Sequence, residues 1–267
     1  MARYVIALVV AAISLFTYFS RSEKNPITQE TQRVAGITAE QEVALGLQAA
    51  PEMIQQFGGL DPSPEAQALV DRVGERLVSK TAAAQSPYKF EFHLLDDPET
   101  INAFALPGGQ VAITEGLVRR LESEGQLAGV LGHEIGHVIA RHGAEHIAKQ
   151  QLTEGLTGAA VLATYDPNNP SSQGSAAVAA LIGQLVTMRF GRQDELESDQ
   201  LGVRLASEAG YDPRSMIGLM KILEESSQGG RPPEFFSTHP NPENRVARIE
   251  SAIQKQFPNG VPAGLEK

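Results

Sequence analysis

The segment His133-Glu134-Ile135-Gly136-His137 constrains this chain more than any other, because it predicts both a helix and a metal site. On an α-helix, histidines four residues apart lie about 40° apart around the axis and one turn apart along it, so both rings can bind one zinc ion. Glu134 lies about 100° from His133, close enough to act on a water molecule beside the metal. The segment therefore predicts two zinc ligands and a general base.

The chain contains no cysteine, which excludes thiolate zinc sites, iron–sulfur clusters, disulfides and thiol catalysis. A catalytic zinc ion has three protein ligands, so the third must be a histidine or a carboxylate. Glu195 and Asp199 are four residues apart on a predicted helix and share a face. One of them can bind the metal while the other orients a ligating histidine through its second ring nitrogen.

Four of the six histidines fall within 14 residues, but the spacing separates them. On one continuous ideal helix, His142 and His146 lie about 180° and 220° from His133. We therefore expect both on the solvated surface, together with His93 on the polar face of a strand. The third histidine of a metzincin motif would stand at position 143, which is Gly143.

Glycines recur along the helix that carries the motif. Each interior glycine costs about 1 kcal/mol relative to alanine, so the series predicts that another backbone packs closely against this helix. This contact is either simple helix packing or also the contact that brings the third ligand to the metal. The positions are Gly125, Gly129, Gly132, Gly136 and Gly143.

The remaining patterns predict an α+β fold, mainly helical with one small antiparallel sheet. Capping residues predict helices that begin after Thr38, Ser63 and Ser123, the last continuing to about Gln150. Alternation predicts a strand over 88–95 and a hairpin of strands 103–106 and 110–114. Further helices are predicted over 188–209, from 213 and from 242. A loop is predicted over 165–174, and the apolar stretch 175–186 is too short to span a membrane.

The pattern of residues 1–21 predicts a signal peptide or an N-terminal membrane anchor. The apolar run Tyr4–Phe19 follows Arg3 and would reach ~24 Å as a helix, against ~30 Å for a bilayer core. It lacks a small-residue cleavage site, which favours an uncleaved anchor. Either alternative places the body in the periplasm or cell envelope, soluble after cleavage or anchored to the inner membrane by residues 4–19. Residues 22–35 are expected to be a linker, and 36–262 one catalytic domain.

The net charge of −10 argues against nucleic acid or anionic lipid as a partner. We expect membrane contact through the N-terminal segment alone.

Taken together, these motifs resemble the zinc metallopeptidases of the HtpX and CAAX prenyl protease family, in its BepA-like periplasmic branch. The resemblance covers about residues 36–255 and implies a zincin-type (gluzincin) domain that binds one zinc ion. The branch carries a C-terminal repeat domain, which we do not expect within these 267 residues, and Ser198 replaces its usual alanine. The motifs, in order, are Asn102–Gly109 (NAFALPGG), His133–His137 (HEIGH), Glu195-x-x-x-Asp199-x-x-Gly202, and Ser237-Thr238-His239-Pro240 with Arg245.

The resemblance also implies roles for individual residues. Glu195 would be the third zinc ligand and Asp199 would orient a ligand. His239 would approach the zinc and block the position of the water, with Arg245 near the reacting oxyanion. An edge strand would pair with extended substrate. The strand is Gln110, Val111, Ala112, Ile113 and Thr114.

The function expected from these features is zinc-dependent cleavage of unfolded or misassembled envelope proteins. Prenyl-protein processing is disfavoured, because those enzymes cross the membrane several times and this chain at most once. The alternatives are an envelope chaperone with a latent zinc site and a purely structural zinc domain.

Overall fold

The computed structural model describes residues 2–34, 36–164, 189–227, 233–241 and 244–267. The predicted loop 165–174 and the apolar stretch 175–186 lie outside the described residues. The strands are β1 (Ser22–Lys24), β2 (Thr31–Arg33), β3 (Glu91–Leu95), β4 (Ala103–Leu106) and β5 (Gln110–Thr114). The helices are α1 (Ala2–Ser20), α2 (Ala39–Gln56), α3 (Pro64–Ser79), α4 (Glu115–Val118), α5 (Glu124–Ile139), α6 (His142–Thr164), α7 (Arg192–Glu208), α8 (Ser215–Ser226), α9 (Phe235–Thr238) and α10 (Arg245–Gln256).

Helix α5, which carries the two motif histidines, lies at the centre of the fold. Its N-terminus is capped by Ser123, whose Oγ accepts a hydrogen bond from the backbone N–H of Gln126. All of its residues after Glu124 are buried. Helices α3, α7 and α8 and the sheet pack around it. The motif is therefore held in the hydrophobic core, where side-chain positions are fixed by close packing.

The glycines of α5 allow helix α7 to approach closely, as the glycine series predicted. A Cβ atom at Gly136 would lie 2.7 Å from Ser198 Oγ, and one at Gly132 would lie 3.4 Å from the Cα atom of Gly202. Helix α7 is also the helix that carries Glu195 and Asp199. The close contact therefore does bring the candidate third ligand towards the histidines.

The three-stranded sheet confirms the mainly helical α+β class but has a different strand arrangement from the one expected. Its order is β3-β5-β4, with β4 antiparallel and β3 parallel to β5. The expectation that Gln110–Thr114 is an edge strand is wrong, because β5 pairs on both sides and all five of its residues are buried. The hairpin inserts β5 between its two neighbours, so β4 has the open edge.

The polar segment after α1 is not an irregular linker along its whole length. Strands β1 and β2 pair antiparallel, and the hairpin contacts the C-terminal end of α5. There Asn25 Nδ2 donates to the carbonyl oxygen of Ile139 at 2.6 Å, and Gln32 Nε2 donates to that of Ala140. Buried helix-end carbonyls need such donors, which explains why these polar side chains are themselves buried.

Helix α5 does not continue to Gln150 as expected. It ends at Ile139, and Arg141 adopts a left-handed conformation with φ of 57° before α6 begins at His142. The Arg141 guanidinium donates to Glu42 Oε2 at 2.9 Å and to the carbonyl oxygen of Ile37 at 2.6 Å. These contacts hold an arginine in a conformation that costs a non-glycine residue about 1 kcal/mol or more.

The N-terminal helix α1 packs along α6, where a Cβ atom at Gly155 would lie 2.2 Å from Ser14 Oγ. No helix within the described residues combines the length and hydrophobicity needed to cross a membrane. The role of residues 1–21 as a signal peptide or anchor remains a prediction.

We predict that Gly136→Ala lowers the free energy of unfolding by about 1–3 kcal/mol, because the added methyl group overlaps Ser198 and forces α7 away. Gly218→Ala in α8 is the matched control, since its methyl group meets only the flexible end of Gln126. Helix propensity alone favours alanine by about 1 kcal/mol at both positions. Chemical denaturation measures both; a stabilised Gly136→Ala protein would contradict the close packing.

Candidate metal centre

Four buried side chains from three parts of the chain meet at one point. His133 and His137 come from α5, Glu195 from the first turn of α7, and His239 from the residue after α9. One ligand atom from each lies within 4.8 Å of all the others. The Nε2 atoms of His133 and His137 are 3.0 Å apart, and Glu195 Oε1 lies 3.4 Å from His137 Nε2 and 3.0 Å from His239 Nδ1.

These separations fit a tetrahedral zinc ion. Ligand atoms at ~2.0–2.1 Å from zinc at the corners of a tetrahedron lie ~3.3 Å from one another. The remaining measured distances are 3.4 Å from His133 Nε2 to His239 Nδ1 and 3.5 Å from His133 Nε2 to Glu195 Oε2. Burial lowers the pKa of His137 well below its usual value, whereas, although burial also lowers the pKa of His133, Asp199 and Glu195 raise it to about 9. Each ring would bind a metal ion in its neutral form.

The buried charges also fit a divalent cation. Glu134, Glu195 and Asp199 are buried carboxylates, and the buried Arg245 guanidinium supplies one positive charge. Although burial raises the pKa of Glu195, the neighbouring His239, His133 and His137 lower it far below its usual range. A divalent zinc ion and the guanidinium would together carry three positive charges, enough to balance these carboxylates when all three are ionised, whereas unbalanced buried charges are strongly disfavoured.

Asp199 and Arg245 contact the candidate ligands His133 and Glu195 and hold them in position. Asp199 Oδ1 lies 2.9 Å from His133 Nδ1, which leaves Nε2 of that ring for the metal. The Arg245 guanidinium makes two hydrogen bonds of 2.8 Å to Asp199 and lies 3.3 Å from Glu195 Oε2. Although burial raises the pKa of Asp199, Arg245 and His133 lower it overall, so this carboxylate is ionised.

Glu134 lies beside the ligands without being one of them. The side chain is fully buried, and neither oxygen has a hydrogen-bond partner among the described residues. Burial raises the pKa of its carboxyl group. Its Oε1 atom is 3.6 Å from Nε2 of His239, which also has no partner in the described part of the chain. His239 thus contacts Glu134 through Nε2 and the ligand Glu195 through Nδ1.

Sequence comparison agrees with this geometry. The model of peptidase family M48 matches residues 64–253. The chain belongs to peptidase family M48. It is 34% identical over 234 residues to the beta-barrel assembly-enhancing protease of Escherichia coli K12, which covers 84% of this chain and 47% of that protein. The Yersinia pestis protein of the same name is 32% identical over 235 residues.

A second group of M48 relatives is mitochondrial. The metalloendopeptidase OMA1 of Schizosaccharomyces pombe is 32% identical over 236 residues, which cover 87% of this chain and 67% of that protein. The chain spans about half the length of the first curated relatives that it matches. These matches confirm the family resemblance seen in the motifs.

The M48 site contains one buried histidine that we expected on the surface. His142 is 2% exposed, and its Nδ1 atom lies 2.9 Å from Nδ1 of His137. The expectation of a solvated His142 is wrong, because it assumed a continuous helix through Arg141. His146 is partly exposed, pairs with Asp194 at 2.8 Å, and is not one of the four candidate ligands.

The sequence patterns also missed Phe190. Its ring stacks on His137 with a centroid separation of 3.9 Å and an interplanar angle of 24°. It lies two residues before α7 begins and has no local pattern that marks it as part of the site. The bend that buries His142 is only weakly indicated in the sequence, by the glycine at position 143 that follows this histidine.

The strand that we expected to bind substrate lies in the middle of the sheet instead of at its edge. Strand β5 is central, and its Gln110 side chain contacts His93 and Glu91. The cavity next to the ligands is lined instead by β4, including Ala105, and by Phe190 and His239. Substrate pairing with β5 is therefore excluded by the sheet order, and β4 replaces it as the candidate.

We predict that Arg245→Met destabilises the fold by about 3–5 kcal/mol, because it leaves the buried carboxylate of Asp199 without its partner. Arg248→Met on the exposed side of the same helix is the control and should change stability by less than about 0.5 kcal/mol. Urea denaturation measures both. Equal stabilities of the two variants would show that Arg245 does not hold Asp199. The role of Arg245 near the reacting oxyanion remains a prediction.

Proposed function

We propose that this chain is a zinc-dependent endopeptidase, with His133, His137 and Glu195 as the metal ligands and Glu134 as the general base. The observation that carries the proposal is the buried set of nitrogen and oxygen atoms, spaced for one zinc ion, beside a carboxylate with no hydrogen-bond partner among the described residues. Zinc in such a site polarises a peptide carbonyl and lowers the pKa of water. The E. coli and S. pombe relatives are both named as proteases, which supports the same activity.

Glu134 performs the proton transfers. Its carboxylate accepts a proton from the attacking water and then delivers a proton to the amine of the leaving peptide. Both oxygens are buried and lack hydrogen-bond partners in the described residues, so the carboxylate is available for this exchange. Asp199 and Arg245 keep the ligands in place, because Asp199 contacts His133 and Arg245 contacts Glu195.

His239 makes the resting site latent. Its Nδ1 atom completes a four-residue ligand set, and its Nε2 atom lies 3.6 Å from Glu134 Oε1. Four protein ligands are typical of a closed zinc site, whereas catalysis needs an open position. The enzyme is therefore active when the segment that carries His239 moves away. Pro240 follows this residue, and the short helix α9 precedes it.

We predict that His239→Ala increases cleavage of unfolded casein relative to the wild-type chain, because it opens the fourth position. Adding Glu134→Gln to that variant should reduce the rate by about 10²–10⁴-fold, as expected for loss of a general base, with zinc content unchanged. The double variant is the matched control for metal binding. Continued cleavage by the double variant would exclude Glu134 as the base.

The open edge of β4 is the proposed site for the substrate backbone. Thr114 N–H donates to the carbonyl of Asn102, so the alternation of an antiparallel pair directs the polar groups of Ala103 and Ala105 away from β5. On this open side the carbonyl of Ile101 already accepts from Phe235 N–H at 3.0 Å. An extended peptide can therefore add to β4 from Ala103 onwards, next to the metal ligands.

We predict that Ala105→Pro, made in the His239→Ala background, lowers kcat/KM for a peptide substrate by about 3- to 10-fold, since it removes one outward N–H donor. Ala105→Ser keeps the N–H and is the control. Thermal unfolding of both variants checks that the sheet is intact. Equal kcat/KM values for the proline and serine variants would exclude pairing at this residue.

The proposed substrates are unfolded or misassembled proteins of the cell envelope, and the proposed process is protein quality control. The name of the E. coli relative, which refers to β-barrel assembly, supports this location. The apolar residues 4–19 would serve as a signal or inner-membrane anchor. The catalytic domain would comprise 36–262, with contact to membrane through the N-terminal segment and none to nucleic acid.

A non-catalytic chaperone is the second candidate, and the closed ligand set favours it. An envelope protein could use the β4 edge to hold unfolded chains while zinc stays latent under His239. The two functions differ in one result of the casein experiment. If neither the wild type nor His239→Ala cleaves casein, the result would indicate the chaperone. Cleavage by His239→Ala but not by the wild type would indicate a regulated protease.

A further inference from the structure

The two candidate histidine ligands are supported by different kinds of partner. Both rings turn Nε2 towards the metal position and Nδ1 away from it. Nδ1 of His133 meets a carboxylate, Asp199, at 2.9 Å. Nδ1 of His137 meets another imidazole, Nδ1 of His142, also at 2.9 Å. His142 is buried and is not one of the metal ligands.

The backbone brings His142 to this position by a specific bend. Because Arg141 is left-handed, the first residue of α6 turns back against the last turn of α5 instead of continuing around it. Glu42 holds the Arg141 guanidinium, and Asn25 holds the carbonyl of Ile139 just before the bend. The position of His142 is therefore fixed by contacts outside the metal centre.

The hydrogen-bond chemistry follows from the geometry. A His137 ring that binds metal through Nε2 carries its hydrogen on Nδ1 and donates it to His142 Nδ1. His142 must then carry its own hydrogen on Nε2, which lies 3.4 Å from Glu197 Oε2. Phe190 stacks on the face of His137 and limits its rotation. Each group in this chain thus has one defined role as donor or acceptor.

We propose that His142 is a positioning residue for the metal ligand His137, acting as the hydrogen-bond acceptor for its Nδ1–H, with Glu197 orienting His142 in turn. This inference rests on the proposed zinc site. Partners of ligating histidines set the ring orientation and tautomer, and their loss typically weakens metal binding by about 10- to 100-fold.

The test compares His142→Leu with His142→Asn in the full-length chain. Asparagine and leucine have nearly the same shape, but only asparagine places an acceptor oxygen where Nδ1 of His142 stands. Competition with a chromophoric chelator gives the zinc dissociation constant, independently of activity. We expect about 10- to 100-fold weaker zinc binding for His142→Leu, values within about threefold of wild type for His142→Asn, and similar melting temperatures of the zinc-free variants.

His93→Leu is the control, because His93 lies in β3 and its Nε2 atom contacts Gln110 and none of the ligands. Its zinc affinity should equal that of the wild type. Wild-type affinity in His142→Leu would overturn the proposal, and so would equally weak binding by the asparagine variant, since packing would then explain the loss. A wild-type chain that binds no zinc would refute the proposed function and this inference with it.

A second measurement on the wild type covers the case in which His142→Leu does not fold. Nitrogen-15 NMR of the zinc-loaded chain distinguishes the two imidazole tautomers. We expect His142 to be protonated on Nε2 alone and His137 on Nδ1. A His142 ring protonated on Nδ1 could not accept from His137 and would overturn the proposal.

Discussion

The close contact between α5 and α7 is the constraint on which the metal centre depends. A Cβ atom at Gly202 would lie 3.2 Å from the backbone nitrogen of His133, so the two backbones nearly touch where the motif begins. At this distance the Glu195 side chain reaches both histidines, and the Asp199 side chain reaches His133. Bulkier residues at these crossing points would separate the helices and remove the third ligand, whatever the motif sequence.

The second constraint is the concentration of buried charge. Three carboxylates and one guanidinium are placed in a core that also contains four imidazoles of low exposure, those of His133, His137, His142 and His239. Such an arrangement is stable only when each charge has a partner of opposite sign or a metal ion. The contacts of Arg245 with Asp199 and Glu195, together with a bound zinc ion, would satisfy this requirement. The stability of the domain therefore depends on the same residues as its proposed chemistry.

Local patterns predicted the parts of this site that depend on helix geometry. The two histidines, Glu134 and the close helix packing follow from spacing alone, because residues on one helix keep fixed angular relations. The boundaries of β4 and β5 were also correct, since the turn Pro107-Gly108-Gly109 fixes them.

The errors came from long-range arrangement. No short pattern reveals which strand of a hairpin is central, because β3 joins from elsewhere in the chain. His142 was misplaced because one left-handed residue, Arg141, ended the helix whose angles were extrapolated. The contacts that stabilise this bend come from Glu42 and Ile37, about a hundred residues away in sequence.

X-ray absorption at the zinc edge tests the central claim most directly. We predict one zinc ion per wild-type chain with three imidazole nitrogens and one carboxylate, all at ~2.0–2.2 Å. In His239→Ala, one imidazole should be replaced by a single oxygen ligand. A wild-type spectrum with only two imidazoles, or no change on removal of His239, would contradict the closed four-residue site.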